Sequence, residues 1–255
     1  MAKQQNVDLI GGDIRTGLLR FAFPLFLGQL FQQLYNMVDA LVVGNYEGQN
    51  ALAAVTSTGS LIFLLVGFFG GVFSGVSVVI ARSYGAGDEH QVRRSVGTAV
   101  SLALLAGAAL TVIGVLFSPW ILRLMDTPAE VFDQAVGYLR IYFWGVLFVV
   151  LYNSGCGIFQ AVGDSKRPLY YLIVSSLVNV VLDVVFVGTL HMGVQGAALA
   201  TVIAQGVSTV LAFFRLSRVQ GPYRVTLRGI CLDGPIMKEM VRIGLPSGVQ
   251  NSVIA

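Results

Sequence analysis

The chain has 255 residues, of which 55% are hydrophobic and only 11% charged, and its mean hydropathy is +0.77. Soluble domains carry roughly a quarter charged residues, so this composition excludes a water-solvated globule, which could not cover its own surface. The formal net charge of +3 and a pI near 9.0 suggest nucleic acid as a partner only until the basic residues are placed.

Spanning a hydrocarbon core of about 30 Å takes roughly 20 helical residues. In chain order, apolar runs of that size occupy residues 18–43, 52–81, 95–117, 135–161, 168–187 and 194–216. A last run, 240–255, opens a seventh. The first is too long for the apolar core of a signal peptide and lacks its small-residue cleavage site, so it reads as a retained span. None shows the alternation of a membrane barrel strand, and lipid-facing backbone must satisfy itself internally, which leaves helices. The expected fold is therefore all-α, a polytopic six-helix transmembrane bundle with the start of a seventh helix. Its expected parts are a cytoplasmic N-terminal tail (1–17), a six-helix lobe (18–216), a cytoplasmic linker (217–239) and the start of a second lobe (240–255).

Orientation comes from the loops. The tail with the entry to the first span (Lys3, Arg15, Arg20), the second-to-third connection (Arg82, Arg93, Arg94), the fourth-to-fifth connection (Lys166, Arg167) and the last loop (Arg215, Arg218, Arg224, Arg228, Lys238, Arg242) hold all but Arg123 and Arg140 of the 16 basic residues. Such a bias places the N-terminus in the cytoplasm. The charge is topological, and the nucleic-acid reading falls.

Of the 13 acidic residues, only Asp39 and Asp183 fall inside spans. An acid at membrane depth costs about 2.5 kcal/mol or more and ordinarily has a partner or a function. Each lies about four residues, or roughly 6 Å, from the outer end of its outward-running span. Asn179 precedes Asp183 by one helical turn on the same face, and Thr201 reaches a comparable depth from the outer start of the sixth span. These four make a candidate site. Two carboxylates together in low dielectric must hold protons or a cation, and carboxylate, amide and hydroxyl oxygens suit Na⁺ or H⁺ rather than thiophilic metals. The bland alternative is protonated acids that merely join helices.

Gln29, Gln32, Asn36 and Asp39 follow helical spacing in the first span, and Thr201, Gln205 and Ser208 do so in the sixth. Both stripes could line a wet cavity. Gly67, Gly71 and Gly75 recur every four residues in the second span and allow close helix approach, as a sliding surface or as static packing. Pro24 is expected to kink the first span. Tyr138, Tyr142, Phe143 and Trp144 read as anchors at the outer interface. An internal echo links Arg20-Phe21-Ala22-Phe23-Pro24 with Arg242-Ile243-Gly244-Leu245-Pro246 and suggests a second copy of the six-helix unit. Cys156 and Cys231 form no disulfide framework, and His90 and His191 lack metal-ligand spacing. No nucleophile triad, nucleotide loop or zinc signature is present; Gly85–Asp88 lacks the strand and the Lys of a phosphate loop. An enzyme is not expected, nor a cofactor beyond Na⁺ or H⁺ as coupling ion.

Along its whole length the chain resembles the multidrug and toxic compound extrusion (MATE) family of cation-coupled exporters. The resemblance is carried by Pro24, by Val38-Asp39, by the loops Ala81-Arg82-Ser83-Tyr84-Gly85-Ala86-Gly87-Asp88 and Gln160-Ala161-Val162-Gly163-Asp164-Ser165-Lys166-Arg167-Pro168, and by Asn179-Val180-Val181-Leu182-Asp183. It implies half of a two-lobe, twelve-helix transporter that moves substrate between its lobes by alternating access. It also implies a Na⁺ or H⁺ site at Asp39, Asn179, Asp183 and Thr201, a hinge at Pro24, and Gln32 and Asn153 facing the drug cavity, with Asn36 added from the polar stripe.

The expected function is antiport of amphiphilic or cationic drugs by a multi-pass protein of a bacterial plasma (inner) membrane. Its partners would be the bilayer, the small organic substrates and the second lobe of the full-length protein, with no nucleic acid. The rivals are a flippase for lipid-linked precursors, which would need cavity-facing basic residues in spans that hold almost none, and a non-transporting fragment.

Overall fold

The computed structural model describes residues 14–47 and 49–254. Most of the segment read as the N-terminal tail, including Lys3, lies outside them. Among the described residues there are seven α-helices: α1 (Ile14–Glu47), α2 (Gln49–Gly85), α3 (Glu89–Leu124), α4 (Ala129–Ala161), α5 (Lys166–Asp183), α6 (Gly193–Arg218) and α7 (Gly234–Ile254). A π-helical turn, Val184–Thr189, extends α5, and a 3₁₀ turn, Leu227–Gly229, lies before α7.

The helices end where local chemistry stops them. Gly87 and Gly163 adopt positive φ, +72° and +78°, the left-handed conformation that closes a helix without a Cβ penalty. An aspartate follows each. The Asp88 carboxylate accepts from the Gln91 backbone N–H at 2.9 Å and caps α3. Asp164 accepts from the Arg167 N–H at 3.2 Å and pairs with the Arg167 guanidinium at 2.7 Å. The two Gly-Asp loops quoted for the family resemblance are thus two matched helix-to-helix turns.

Among the described residues five helices are long and apolar enough to cross a membrane, over Thr58–Gly85, Glu89–Leu124, Ala129–Ala161, Lys166–Thr189 and Gly193–Arg218. The sequence reading counted six. The first, α1, is long enough at 34 residues, but Gln29, Gln32, Gln33, Asn36 and Asp39 interrupt its apolar run. The fifth span was expected to stay regular to Val187; instead α5 gives way after Asp183 to wider turns, with the Leu190 N–H reaching back to the Val185 carbonyl at 2.8 Å. Such π segments are frequent at functional sites.

Apolar side chains sit on both sides of the protein wall. Leu105, Val112, Ile113, Leu116, Phe117 and Trp120 of α3 are exposed, as lipid solvation allows and water would not. Inside, Phe73, Val76, Ile80, Val96, Phe159, Leu216 and Met240 build the largest core where α2, α3, α4, α6 and α7 converge. Leu122, Leu139, Tyr142 and Phe143 fill a second core between α3 and α4.

The glycine stripe of α2 is where α7 lies. A Cβ on Gly71 would run into the backbone of Gly248, and one on Gly75 into the Met240 carbonyl and Gly244. The opposing glycines make the contact reciprocal, backbone against backbone. At the C-terminal end of α2 Arg82 pairs with Glu239 at 2.9 Å. The echo between the two chain segments also has a structural counterpart, since Pro24 and Pro246 both lie inside their helices, α1 and α7.

Candidate functional site

Asp39 is 7% exposed, Asn179 1%, Asp183 0% and Thr201 4%, so the expected four residues are all buried. They come from three helices that pack together, α1, α5 and α6. Their meeting follows from register: Asn179 and Asp183 are one turn apart on α5 and present both polar groups to one side. The Asn179 amide donates to the Thr201 hydroxyl at 3.4 Å, which ties α5 to α6. Asp39 on α1 brings its carboxyl against that of Asp183.

What the cluster lacks is as informative as what it contains. Asp39 Oδ1, both carboxylate oxygens of Asp183 and Asn179 Oδ1 are buried without a hydrogen-bond partner. Ionised carboxylates only accept, so the two acids cannot satisfy one another unless a proton or a cation lies between them. No ion pair among the described residues involves either acid. Uncompensated, two such charges repel strongly in a low-dielectric interior. The donor set is entirely oxygen and hard, which fits Na⁺ or H⁺. No group of three or more His, Cys, Asp or Glu able to hold a metal ion occurs among the described residues, and Asn179 and Thr201 would have to complete any cation shell.

Two tyrosines, Tyr35 and Tyr138, are within electrostatic reach of both acids, and Tyr142 is within reach of the two tyrosines. Tyr35 also reaches the Gln205 side chain on α6. The positions of Tyr138 and Tyr142 correct the reading of the α4 aromatics as interface anchors. Tyr138, Tyr142 and Phe143 are at most 6% exposed, and only Trp144, at 68%, faces outward. The physical reason is helical phase: Tyr138 and Tyr142 are four apart and share the inward face, while Trp144 falls on the opposite side. The same spacing, with Tyr35 one turn before Asp39, is the signal in the sequence that could have placed these hydroxyls at the site.

The candidate cavity residues are less gathered. Gln32 is half-buried and Asn36 exposed on α1. Asn153 donates its amide to the Val149 carbonyl one turn back at 2.9 Å, a bond within its own helix. Ser208, expected beside Thr201 and Gln205 in a wet stripe, is buried and donates to the Gln205 carbonyl at 2.9 Å. Pro24 is buried in an α1 that continues unbroken through it.

The MatE family model matches residues 24–185, which covers the Pro24 turn, both Gly-Asp loops, Asp39, Asn179 and Asp183. The chain belongs to the MatE family. It is 34% identical over 242 residues to the probable multidrug resistance protein YoeA of Bacillus subtilis (strain 168), covering 92% of this chain and 52% of that protein. Its fold is similar to a MATE crystal structure in the bent conformation, with TM-score 0.89 and 30% identity over 97% of this chain and 55% of the other. It is equally similar to a multidrug resistance MATE transporter of the MOP superfamily in an outward-facing conformation, with TM-score 0.89 and 29% identity over 98% of this chain and 56% of that one. The chain therefore spans about half the length of the relatives it matches. As a MatE protein with apolar crossing helices, it is a multi-pass membrane protein.

Proposed function

We propose that this chain is the N-terminal lobe of an exporter of amphiphilic, often cationic organic compounds, driven by inward movement of Na⁺ or H⁺ and lying in a bacterial inner membrane with its N-terminus in the cytoplasm. The observation that carries the proposal is the buried pair Asp39–Asp183 with its unpartnered oxygens. A proton or cation held there satisfies those oxygens and draws α1 towards α5 and α6. Its loss leaves two facing charges and favours their separation. Pro24 removes one backbone hydrogen bond from α1, which lowers the cost of bending the helix that carries Asp39. The relatives are named for multidrug resistance, and the basic residues of the connections support the orientation.

Coupling is reciprocal: if the cation lowers affinity for the drug, the drug lowers affinity for the cation by the same factor. Asp39→Asn and Asp183→Asn, each introduced into the full-length transporter, keep the shape of the site but remove its charge and exchange one acceptor oxygen for a donor. Couplings of this kind are worth about 5–150-fold, and a loss in that range is expected in gradient-driven dye efflux from reconstituted vesicles. Efflux at the wild-type rate in both variants rules the site out. Imposing a Na⁺ gradient and a pH gradient separately identifies the ion.

A further inference from the structure

The segment between α6 and α7 is fixed to the start of α3. The Ser101 hydroxyl donates to the Cys231 carbonyl at 2.9 Å and the Asp233 N–H to the Thr98 hydroxyl at 3.3 Å. Arg94 pairs with the Asp233 carboxylate. The Gly229 carbonyl lies so close over Gly97 that no Cβ could stand there. Between these stitches and the helix lies a cavity of about 490 Å³.

Its lining combines basic and apolar side chains. Arg93 of α3 and Arg224 and Arg228 of the segment line it together with the partly exposed Pro222, Val225 and Ile230, and among the described residues no carboxylate does. Two acids close to the segment are engaged elsewhere, Asp233 by Arg94 and Glu239 by Arg82. Arg93 meets Glu89 only at 3.6 Å, with both side chains about two-thirds exposed. Arg224 spends one donor, Nε, on the Ser217 carbonyl at 2.8 Å, which fixes the guanidinium and leaves its other donors free for a ligand. Three guanidinium groups gathered around one cavity, with a single long contact to Glu89 as their carboxylate partner among the described residues, favour an anion, and guanidinium groups match phosphate oxygens in geometry. Pro222, Val225 and Ile230 add an apolar surface that a hydrated inorganic ion does not use.

We propose that this cavity binds the phosphate group of an anionic phospholipid, with the root of an acyl chain against Val225 and Ile230. Basic pockets between helices at a membrane surface recognise such headgroups. The inference does not depend on the cation site; the cytoplasmic orientation proposed above serves only to name the leaflet as the inner one.

The test uses the full-length transporter, purified and delipidated in detergent, with binding followed by native mass spectrometry. The probes are phosphatidylglycerol, phosphatidylcholine and inorganic phosphate. Phosphatidylglycerol is expected to bind the wild type and the Arg93→Lys/Arg224→Lys/Arg228→Lys variant. It should lose at least about tenfold in affinity in the Arg93→Gln/Arg224→Gln/Arg228→Gln variant, given about fivefold per basic residue at a membrane surface. If the triple glutamine variant fails to fold, Arg228→Gln alone carries the test, with about a fivefold loss expected. Arg123→Gln/Arg140→Gln, which alters basic residues far from the cavity, should bind as wild type. Equal binding by the glutamine variants, or equal binding of phosphatidylcholine, overturns the proposal. Inorganic phosphate displacing the lipid at equal concentration assigns the cavity to a free anion and overturns the lipid reading.

Discussion

The α2–α7 seam and the α1–α5–α6 acid cluster are both helix contacts in the same bundle, yet they are built on opposite terms. Along the seam Gly71 and Gly75 face Gly248 and Gly244 so closely that a single added methyl has nowhere to go. The contact is complete in itself. In the acid cluster the helices meet through Asp39, Asn179, Asp183 and Thr201, and four buried oxygens have no partner. Under the proposed function, a proton or cation finishes that contact. A joint closed by shape resists change, whereas one closed by a ligand can be switched by it.

The largest expected effect tests whether the two acids act as a unit. Residues in one network give non-additive effects, so Asp39→Asn/Asp183→Asn should export no worse than either single variant. Each of the three should fall about fivefold or more below wild type in reconstituted efflux. Stepwise, additive losses would separate the acids into two independent roles and break the contrast with the seam.

A smaller effect is expected at the seam, on stability rather than coupling. Gly75→Leu forces a side chain into the α7 backbone, and overpacking of this kind costs about 1–3 kcal/mol. Gly59→Ala on the same helix, where nothing lies within 4 Å of an added Cβ, is the matched control. Thermal melting of the purified full-length protein should drop for the first and hold for the second. Equal tolerance would mean that the helices part freely, making the seam the sliding surface rather than the fixed one.

The smallest effect is expected where the seam meets water. Arg82 and Glu239 pair at 2.9 Å, but their side chains are 72% and 41% exposed, and such pairs contribute about 0.2–1 kcal/mol. Arg82→Ala and Glu239→Ala, compared in a double-mutant cycle of melting temperatures, should show a coupling no larger than that. It should shrink further as salt is raised. A larger coupling would make charge, not glycine packing, the force that holds α7.

The two regions also differ in how far the sequence disclosed them. The spacing of Gly67, Gly71 and Gly75 marks a surface for close approach, but nothing in a periodicity names the helix that approaches; α7 is brought there by the fold. For the acids, depth could be counted from the ends of the spans, since helical rise is fixed, and the structure does bring Asp39, Asn179, Asp183 and Thr201 together. The tyrosines were misplaced because an aromatic near a span end has two stable settings, the lipid interface and the bundle interior. Only helical phase distinguishes Tyr138 and Tyr142 from Trp144. The π-helical turn after Asp183 left no mark, because Val-Val-Phe-Val-Gly-Thr suits a regular helix equally well.

By itself the sequence determined that the chain lies in a membrane, that it is helical, and that two of its acids are held at depth. Those properties follow from local quantities: apolar run length, backbone self-satisfaction and the cost of a charge in lipid. Tertiary structure alone decided which helices touch, that the segment after α6 is stitched to α3, and that the oxygens around Asp183 are left without partners. These depend on side chains distant in sequence sharing one point in space, which no count along the chain can supply.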